Sequence, residues 1–105
     1  MDIQLKRGFL DICVLAVLQR GDSYGYQIIK DISPYMQMSE STLYPILKRL
    51  EQSMCVNAYG VEHNSRLRKY YKILPAGAEK IAAFVEDFKE MTSIYDFING
   101  GMTDE

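Results

Sequence analysis

Ser41, Thr42, Tyr44, Lys48 and Arg49 fall within one eleven-residue stretch, Ser41-Thr-Leu-Tyr-Pro-Ile-Leu-Lys-Arg-Leu-Glu51. Their chemistry is hydrogen bonding and charge neutralisation, suited to phosphates and base edges. Leu43, Ile46, Leu47 and Leu50 recur at i, i+3, i+4 and i+7, which places them on one face of a helix. The hydroxyls and cations then fall away from that face. A half-buried helix with small hydroxyls and two cations near its start suits a DNA major groove. Taken alone, the same residues fit an ordinary amphipathic helix with a capped N-terminus equally well.

A second stretch, Arg66-Leu-Arg-Lys-Tyr-Tyr-Lys-Ile73, alternates cations with apolar and aromatic residues along a β-prone segment. The net charge of −2 argues superficially against nucleic acid, but its distribution reverses that impression. Residues 41–72 hold six Lys/Arg and two Asp/Glu, a balance of +4, whereas residues 73–105 carry −5 and residues 1–40 carry −1. DNA binding needs a local basic face rather than a basic protein. The basic third coincides with the two stretches above.

Other chemistries lack their residues. Cys13 and Cys55 make no disulfide framework, and His63 is the single histidine, so neither a metal set nor a Cys/His or Ser/His/Asp catalytic set is expected. No Gly-rich phosphate loop is present. The reading is a non-enzyme without cofactor. The apolar run at residues 9–18 follows Lys6 and Arg7 as a signal peptide would. Asp11 interrupts it, no small-residue cleavage site follows, and it is too short to span a bilayer. A cytoplasmic protein without membrane contact is expected.

The elements that must position these residues follow from period and punctuation. A chain of 105 residues is one small domain that would gain from burial in an oligomer. The first helix is expected at Leu5–Arg20. Phe9, Ile12, Cys13 and Ala16 form one apolar stripe, and Leu10, Val14, Val17 and Leu18 another. A helix apolar nearly all round is buried on more than one side, here on its own subunit and on a partner. Gly21-Asp22 breaks the chain, and Asp22 or Ser23 caps a second helix at Tyr24–Ile32. Its inner face is expected to be Tyr24, Ile28, Ile29 and Ile32. Gly25 in its first turn either serves close approach, to a neighbouring helix or to a DNA phosphate, or is a plain packing glycine. Ser39 or Ser41 caps the third helix, whose first turn holds Pro45. Two strands, Val56–Tyr59 and Lys69–Ile73, flank a tip at Gly60–Leu67. Tyr70 and Tyr71 point to opposite sheet faces, one of them into the core.

The last helix is expected from Pro75 to Asn99. Ile81, Phe84, Phe88, Met91, Tyr95 and Ile98 are spaced as a heptad seam. Burying six such side chains contributes on the order of 10 kcal/mol at most. A helix of about 24 residues is about 36 Å long, which exceeds what the rest of so small a domain can cover. The seam therefore belongs to a dimer.

In combination these motifs resemble the PadR family of bacterial transcription regulators. The family carries, in relaxed form, Ser-x-x-Thr-Leu-Tyr-Pro-x-Leu-x-Arg-Leu-Glu and then Arg-Lys-Tyr-Tyr. This chain has Ser39-Glu-Ser-Thr42-Leu-Tyr-Pro45-Ile-Leu-Lys48-Arg49-Leu-Glu51 and Arg68-Lys69-Tyr70-Tyr71. Asp22-Ser-Tyr-Gly-Tyr26 and Pro75-Ala-Gly77 are similar to the family's turns into its second and last helices. The resemblance covers roughly residues 5–80. It departs at Met54, where the family usually has Gly, so that the turn uses Ser53 or a strained residue. It departs again at Ser65-Arg66-Leu67, where members often have Gly-Pro-Pro, so the tip is expected to be less rigid and more cationic.

The resemblance implies a mainly α fold with a small β-hairpin: a winged helix-turn-helix unit at residues 1–74, followed by a C-terminal dimerisation helix and short tail at 75–105, as in the family's short form. The expected function is a homodimeric repressor on an inverted-repeat operator in double-stranded DNA. DNA contacts are assigned to Ser39, Ser41, Thr42, Tyr44, Pro45, Lys48, Arg49, Arg66, Arg68 and Lys69. Dimer contacts are assigned to Leu10, Val14, Ile81, Phe84, Phe88, Met91, Tyr95 and Ile98. The family uses dimer-centre cavities for aromatic or cationic ligands, so a pocket for a small aromatic effector is expected near Phe9, Cys13, Phe88, Met91 and Tyr95, with a fully packed centre as the alternative. The alternative is a winged-helix protein-interaction module without DNA binding. The +4 middle third and the outward Thr42, Tyr44 and Lys48 disfavour it.

Overall fold

The computed structural model describes residues 1–101. Helix α1 (Ile3–Arg20) begins two residues before its expected start because the Asp2 carboxylate accepts from the Gln4 and Leu5 amides and caps it. Strand β1 (Ser23–Tyr24) and helix α2 (Gly25–Ile32) follow, then α3 (Glu40–Gln52), β2 (Val56–His63), β3 (Arg66–Ile73) and α4 (Pro75–Ile98). The three strands form an antiparallel sheet in the order β1-β3-β2. The architecture is a winged helix: three helices, a β-hairpin wing and a long C-terminal helix.

Several local expectations are corrected. Asp22 and Ser23 do not cap α2. Ser23 and Tyr24 instead pair with Tyr71 and Tyr70, and Tyr24 becomes an N-cap without a side-chain bond. The wing tip is shorter than expected. The ladder runs unbroken to His63↔Arg66, so Gly60–His63, Arg66 and Leu67 are strand residues. Only Asn64 and Ser65 turn the chain, with φ of 52° and 62°. Positive φ at both positions gives the twist that a two-residue hairpin requires.

Apolar periodicity explains the core. Leu10, Val14, Leu15 and Leu18 of α1 meet Ile28 and Ile32 of α2, Leu43, Ile46, Leu47 and Leu50 of α3, and Val56 and Tyr71 of the sheet. Tyr71 is thus the buried tyrosine of the pair, and its surroundings raise its hydroxyl pKa by desolvation first. On α2's inner face Ile28 and Ile32 are fully buried, whereas Tyr24 and Ile29 are half-buried. Leu10 and Val14, at 6% and 0% exposure, are core residues of one protomer. That corrects their assignment to a dimer contact, because nothing of Val14 is left for a partner to touch.

Two turns fix where the helices end. After α3, the Cys55 amide donates to the Leu50 carbonyl and the Met54 amide to that of Glu51. This is a Schellman closure with Met54, at φ 63°, in the place glycine usually takes. Before α4, the Leu74 amide donates to the Cys55 carbonyl at 2.9 Å. Gly77 then passes so close that a Cβ there would lie 2.5 Å from the Cys55 oxygen. Pro75 occupies the first turn of α4, where its missing N–H costs nothing.

Helix α4 packs on the body through its N-terminal half. Phe84 and Phe88 meet Phe9 edge-on at centroid distances of 5.2 and 5.8 Å. Beyond them the helix leaves the body. The radius of gyration is 16.5 Å and the longest extent 63 Å, against about 13 Å expected for the radius of gyration of a compact chain of this size. Residues 102–105, the end of the acidic tail, lie outside the described residues.

Candidate nucleic-acid interface

The buried face of α3 fixes its outward face. With Leu43, Ile46, Leu47 and Leu50 sealed in the core, Ser41, Tyr44, Pro45 and Lys48 are exposed and Thr42 is half-buried. Ser39 precedes the helix as its N-cap, and its side chain caps no amide. Its hydroxyl instead meets those of Ser41 and Thr42 at 3.0 and 3.2 Å, a chain of three exposed hydroxyls at the positive end of the helix. Pro45 is the sixth helical residue rather than a first-turn one, because α3 starts at Glu40. Having no N–H, it leaves the Ser41 carbonyl without its usual partner four residues on. Both changes enrich the mouth of α3 in unspent donors and acceptors.

Tyr44 leans back over the start of α2. A Cβ on Gly25 would collide with the Tyr44 hydroxyl and ring. The absent side chain at Gly25 therefore makes room for a helix-to-helix contact, the first of the roles expected of it. Tyr44, Gly25, Tyr24, Tyr26 and Glu40 border an open cleft of about 420 Å³, closed on the far side by Arg68 and Lys69 of β3. Of the expected set, Tyr44, Arg68 and Lys69 share this concavity, whereas Ser41, Thr42, Pro45 and Arg49 line a second groove against α1 and Arg66 lies at the wing tip.

Arg68 and Lys69 leave successive positions of β3, hence alternate sheet faces. The Arg68 guanidinium lies 4.0 Å over the Tyr24 ring. Tyr24 continues through Tyr70 to Tyr59, a row of rings at centroid distances of 5.3 and 5.9 Å. The Tyr59 hydroxyl donates to the Asp22 carboxylate at 2.6 Å, and that bond is the first cause of its raised pKa. This row stiffens the root of the wing. Arg66 stands exposed beside the Asn64–Ser65 turn.

Arg49 behaves differently from its neighbours. Its guanidinium donates to Asp11 of α1 at 2.8 Å, an ion pair that ties α3 to α1. Two cations outside the expected set, Lys6 and Arg7, line a groove beside Ser41, Thr42 and Arg49. Their sequence signal is their adjacency at the flank of an apolar run, a pattern that a signal peptide also shows.

The residues expected at a dimer divide in two. Ile81 and Phe84 are half-buried against their own protomer. Phe88, Met91, Tyr95 and Ile98 are exposed, as are Val85, Ile94 and Phe97 on the same arm. Phe9, Phe88, Met91 and Tyr95 line an almost wholly apolar groove of about 450 Å³ with Leu5 and Thr92. Cys13 is not among its lining residues. Its Sγ lies 4.0 Å from the Met36 Sδ, on the α2–α3 connection, and burial pushes its thiol pKa up. No helix among the described residues is long and apolar enough to cross a membrane, and among them no cluster of His, Cys, Asp and Glu has the makings of a metal site.

Residues 14–83 match the sequence profile of the transcriptional regulator PadR-like family. A protein of Lysinibacillus sphaericus is 34% identical over 101 residues, spanning 91% of this chain and 93% of its own. The solved structure of a transcriptional regulator from Clostridium thermocellum aligns with a TM-score of 0.80 at 31% identity, over 89% of this chain and 95% of that one. Bacillus subtilis PadR, solved in complex with operator DNA, aligns with a TM-score of 0.66 at 20% identity over 72% of this chain and 46% of its own, a likeness of fold.

Proposed function

The chain belongs to the PadR-like family of transcriptional regulators, and from that premise we propose that it is a DNA-binding repressor acting as a homodimer on an inverted-repeat operator. One observation carries the reading. The start of α3, at Glu40 and Tyr44, and the cationic Arg68 and Lys69 of β3 line one open cleft. A helix seated in a major groove and a wing following the adjacent backbone use such an arrangement. In this reading Ser41, Thr42, Tyr44 and Lys48 meet base edges, with Ser39 and Pro45 shaping the mouth. Arg66, Arg68 and Lys69 meet phosphates or the minor groove. Arg49 acts on DNA through the placement of α3, since Asp11 already engages it.

The unit that reads DNA is residues 1–74, and the unit that pairs two copies is α4 with its tail, residues 75–105. The exposed apolar arm supports this division. Phe88, Ile94, Tyr95, Phe97 and Ile98 are 43–75% exposed, and an isolated monomer rarely leaves so continuous a patch in water. The groove of Leu5, Phe9, Phe88, Met91 and Tyr95 is the candidate seat of a planar aromatic effector, with ring-to-ring contacts offered by Phe9, Phe88 and Tyr95. Such a ligand releases DNA only through unequal affinity for two dimer arrangements.

The test is a footprint on the promoter region upstream of the chain's own gene. Protection of two half-sites about 34–36 Å apart, centre to centre, is expected, with reduced transcription from that promoter in vitro. Absence of any protected inverted repeat there, together with unchanged transcription, contradicts the repressor reading.

A further inference from the structure

Lys6 and Arg7 stand in the first turns of α1, where the helix dipole disfavours cations. Their groove, about 480 Å³, is lined also by Ser41, Thr42, Pro45 and Arg49. The positive start of α3 opens onto the same place. Two helix N-termini and three cations thus converge, and the ion pair of Arg49 with Asp11 is the only one among the described residues. Neither Lys6 nor Arg7 has an acidic partner there, and both side chains are exposed. Holding like charges together without a counter-ion costs stability in the unbound protein. The cost is offset when an extended polyanion fills the groove.

We propose that this groove holds the phosphodiester backbone of the strand flanking the major groove that α3 enters, with Lys6 and Arg7 as its phosphate ligands. The inference rests on the DNA-binding reading above and extends it to a second side of α3, opposite the wing. The Lys6–Arg7 wall of the groove fits a backbone, while the Ser41 and Thr42 edge stays with the bases. Charged ends on flexible stems surround hydroxyls at a helix mouth, and the groove is open along its length. With the wing on one side and the start of α1 on the other, the reading helix is bracketed by phosphate contacts that fix its register without reading sequence.

The experiment is fluorescence anisotropy with a mixed-sequence 30-base-pair duplex, titrated with full-length protein between about 50 and 200 mM salt. The double variant Lys6→Ala/Arg7→Ala is compared with wild type and with Lys80→Ala/Lys89→Ala, which removes equal charge from α4. The expected result is a slope of log affinity against log salt reduced by about two for the α1 variant, and an unchanged slope for the α4 variant. The α1 variant should also melt at a higher temperature than wild type, because repulsion at the helix start is relieved. A slope equal to that of the α4 variant, while wild type binds with a steep slope, overturns the groove and leaves the wing reading standing. Wild-type binding without salt dependence overturns both.

Discussion

The Arg49 guanidinium of α3 lies 2.8 Å from the Asp11 carboxylate of α1, and Phe9, two residues before Asp11, meets Phe84 and Phe88 of α4. One helix therefore touches both the reading helix and the arm. Asp11→Asn keeps the shape and removes the charge. With the Arg49 side chain 47% exposed and that of Asp11 16%, the pair contributes only about 0.5–1 kcal/mol. The variant should lose that much in urea unfolding and bind random duplex more tightly, because Arg49 is released toward solvent. Unchanged stability and unchanged affinity together would make the pair incidental.

Met54 holds a left-handed backbone at φ 63° while its side chain is 66% exposed. The Schellman closure needs the conformation and not the side chain. Met54→Gly should therefore raise stability by about 0.5–1 kcal/mol, read as a higher urea midpoint at an unchanged slope. A lower midpoint would mean that the methionine makes contacts this account omits.

Gly77 sits where a Cβ would press on the Cys55 carbonyl, the Ile73 side chain and Leu15. Gly77→Ala should cost about 1–3 kcal/mol, since backbone and core must shift together. Calorimetric melting checks it. An alanine variant as stable as wild type would show that α4 docks with more slack than the 2.5 Å approach allows.

These cases mark how far the residues speak for themselves. The α3 stripe was legible because Leu43, Ile46, Leu47 and Leu50 carry both period and length, and the structure buries all four. The basic edge of β3 was legible by charge. Strand β1 was not, because a two-residue strand has no period and exists only through pairing with Tyr70 and Tyr71. The same pairing decided which tyrosine is buried. The wing turn is not legible because Asn64-Ser65 lacks glycine, yet both residues adopt positive φ. Leu10 and Val14 were assigned outward because a helix apolar all round does not declare which stripe meets its own core. Arg49 and Asp11 lie 38 positions apart, and no local spacing announces such a pair.

The apolar arm yields a contrast between two kinds of substitution. Phe88→Asp or Ile98→Asp should convert a dimer to a monomer at micromolar concentration, through a charge placed in a buried contact. Val14→Ala should leave association intact and cost about 1–3 kcal/mol in folding, as a core truncation does. Sedimentation velocity separates them. Wild type sedimenting as a monomer would remove the dimer from the account.

The central claim is that α3 and the wing grip one duplex from the two walls of the cleft. Its most direct measurement is duplex affinity across about 50–200 mM salt for wild type, Arg66→Ala/Lys69→Ala and Thr42→Ala. The expected result is steep salt dependence for wild type and a slope reduced by about two for the wing variant, on operator and random duplex alike. Thr42→Ala should keep the wild-type slope and random-duplex affinity but lose preference for the operator. Wing variants that bind both duplexes as wild type does at every salt concentration would contradict the claim.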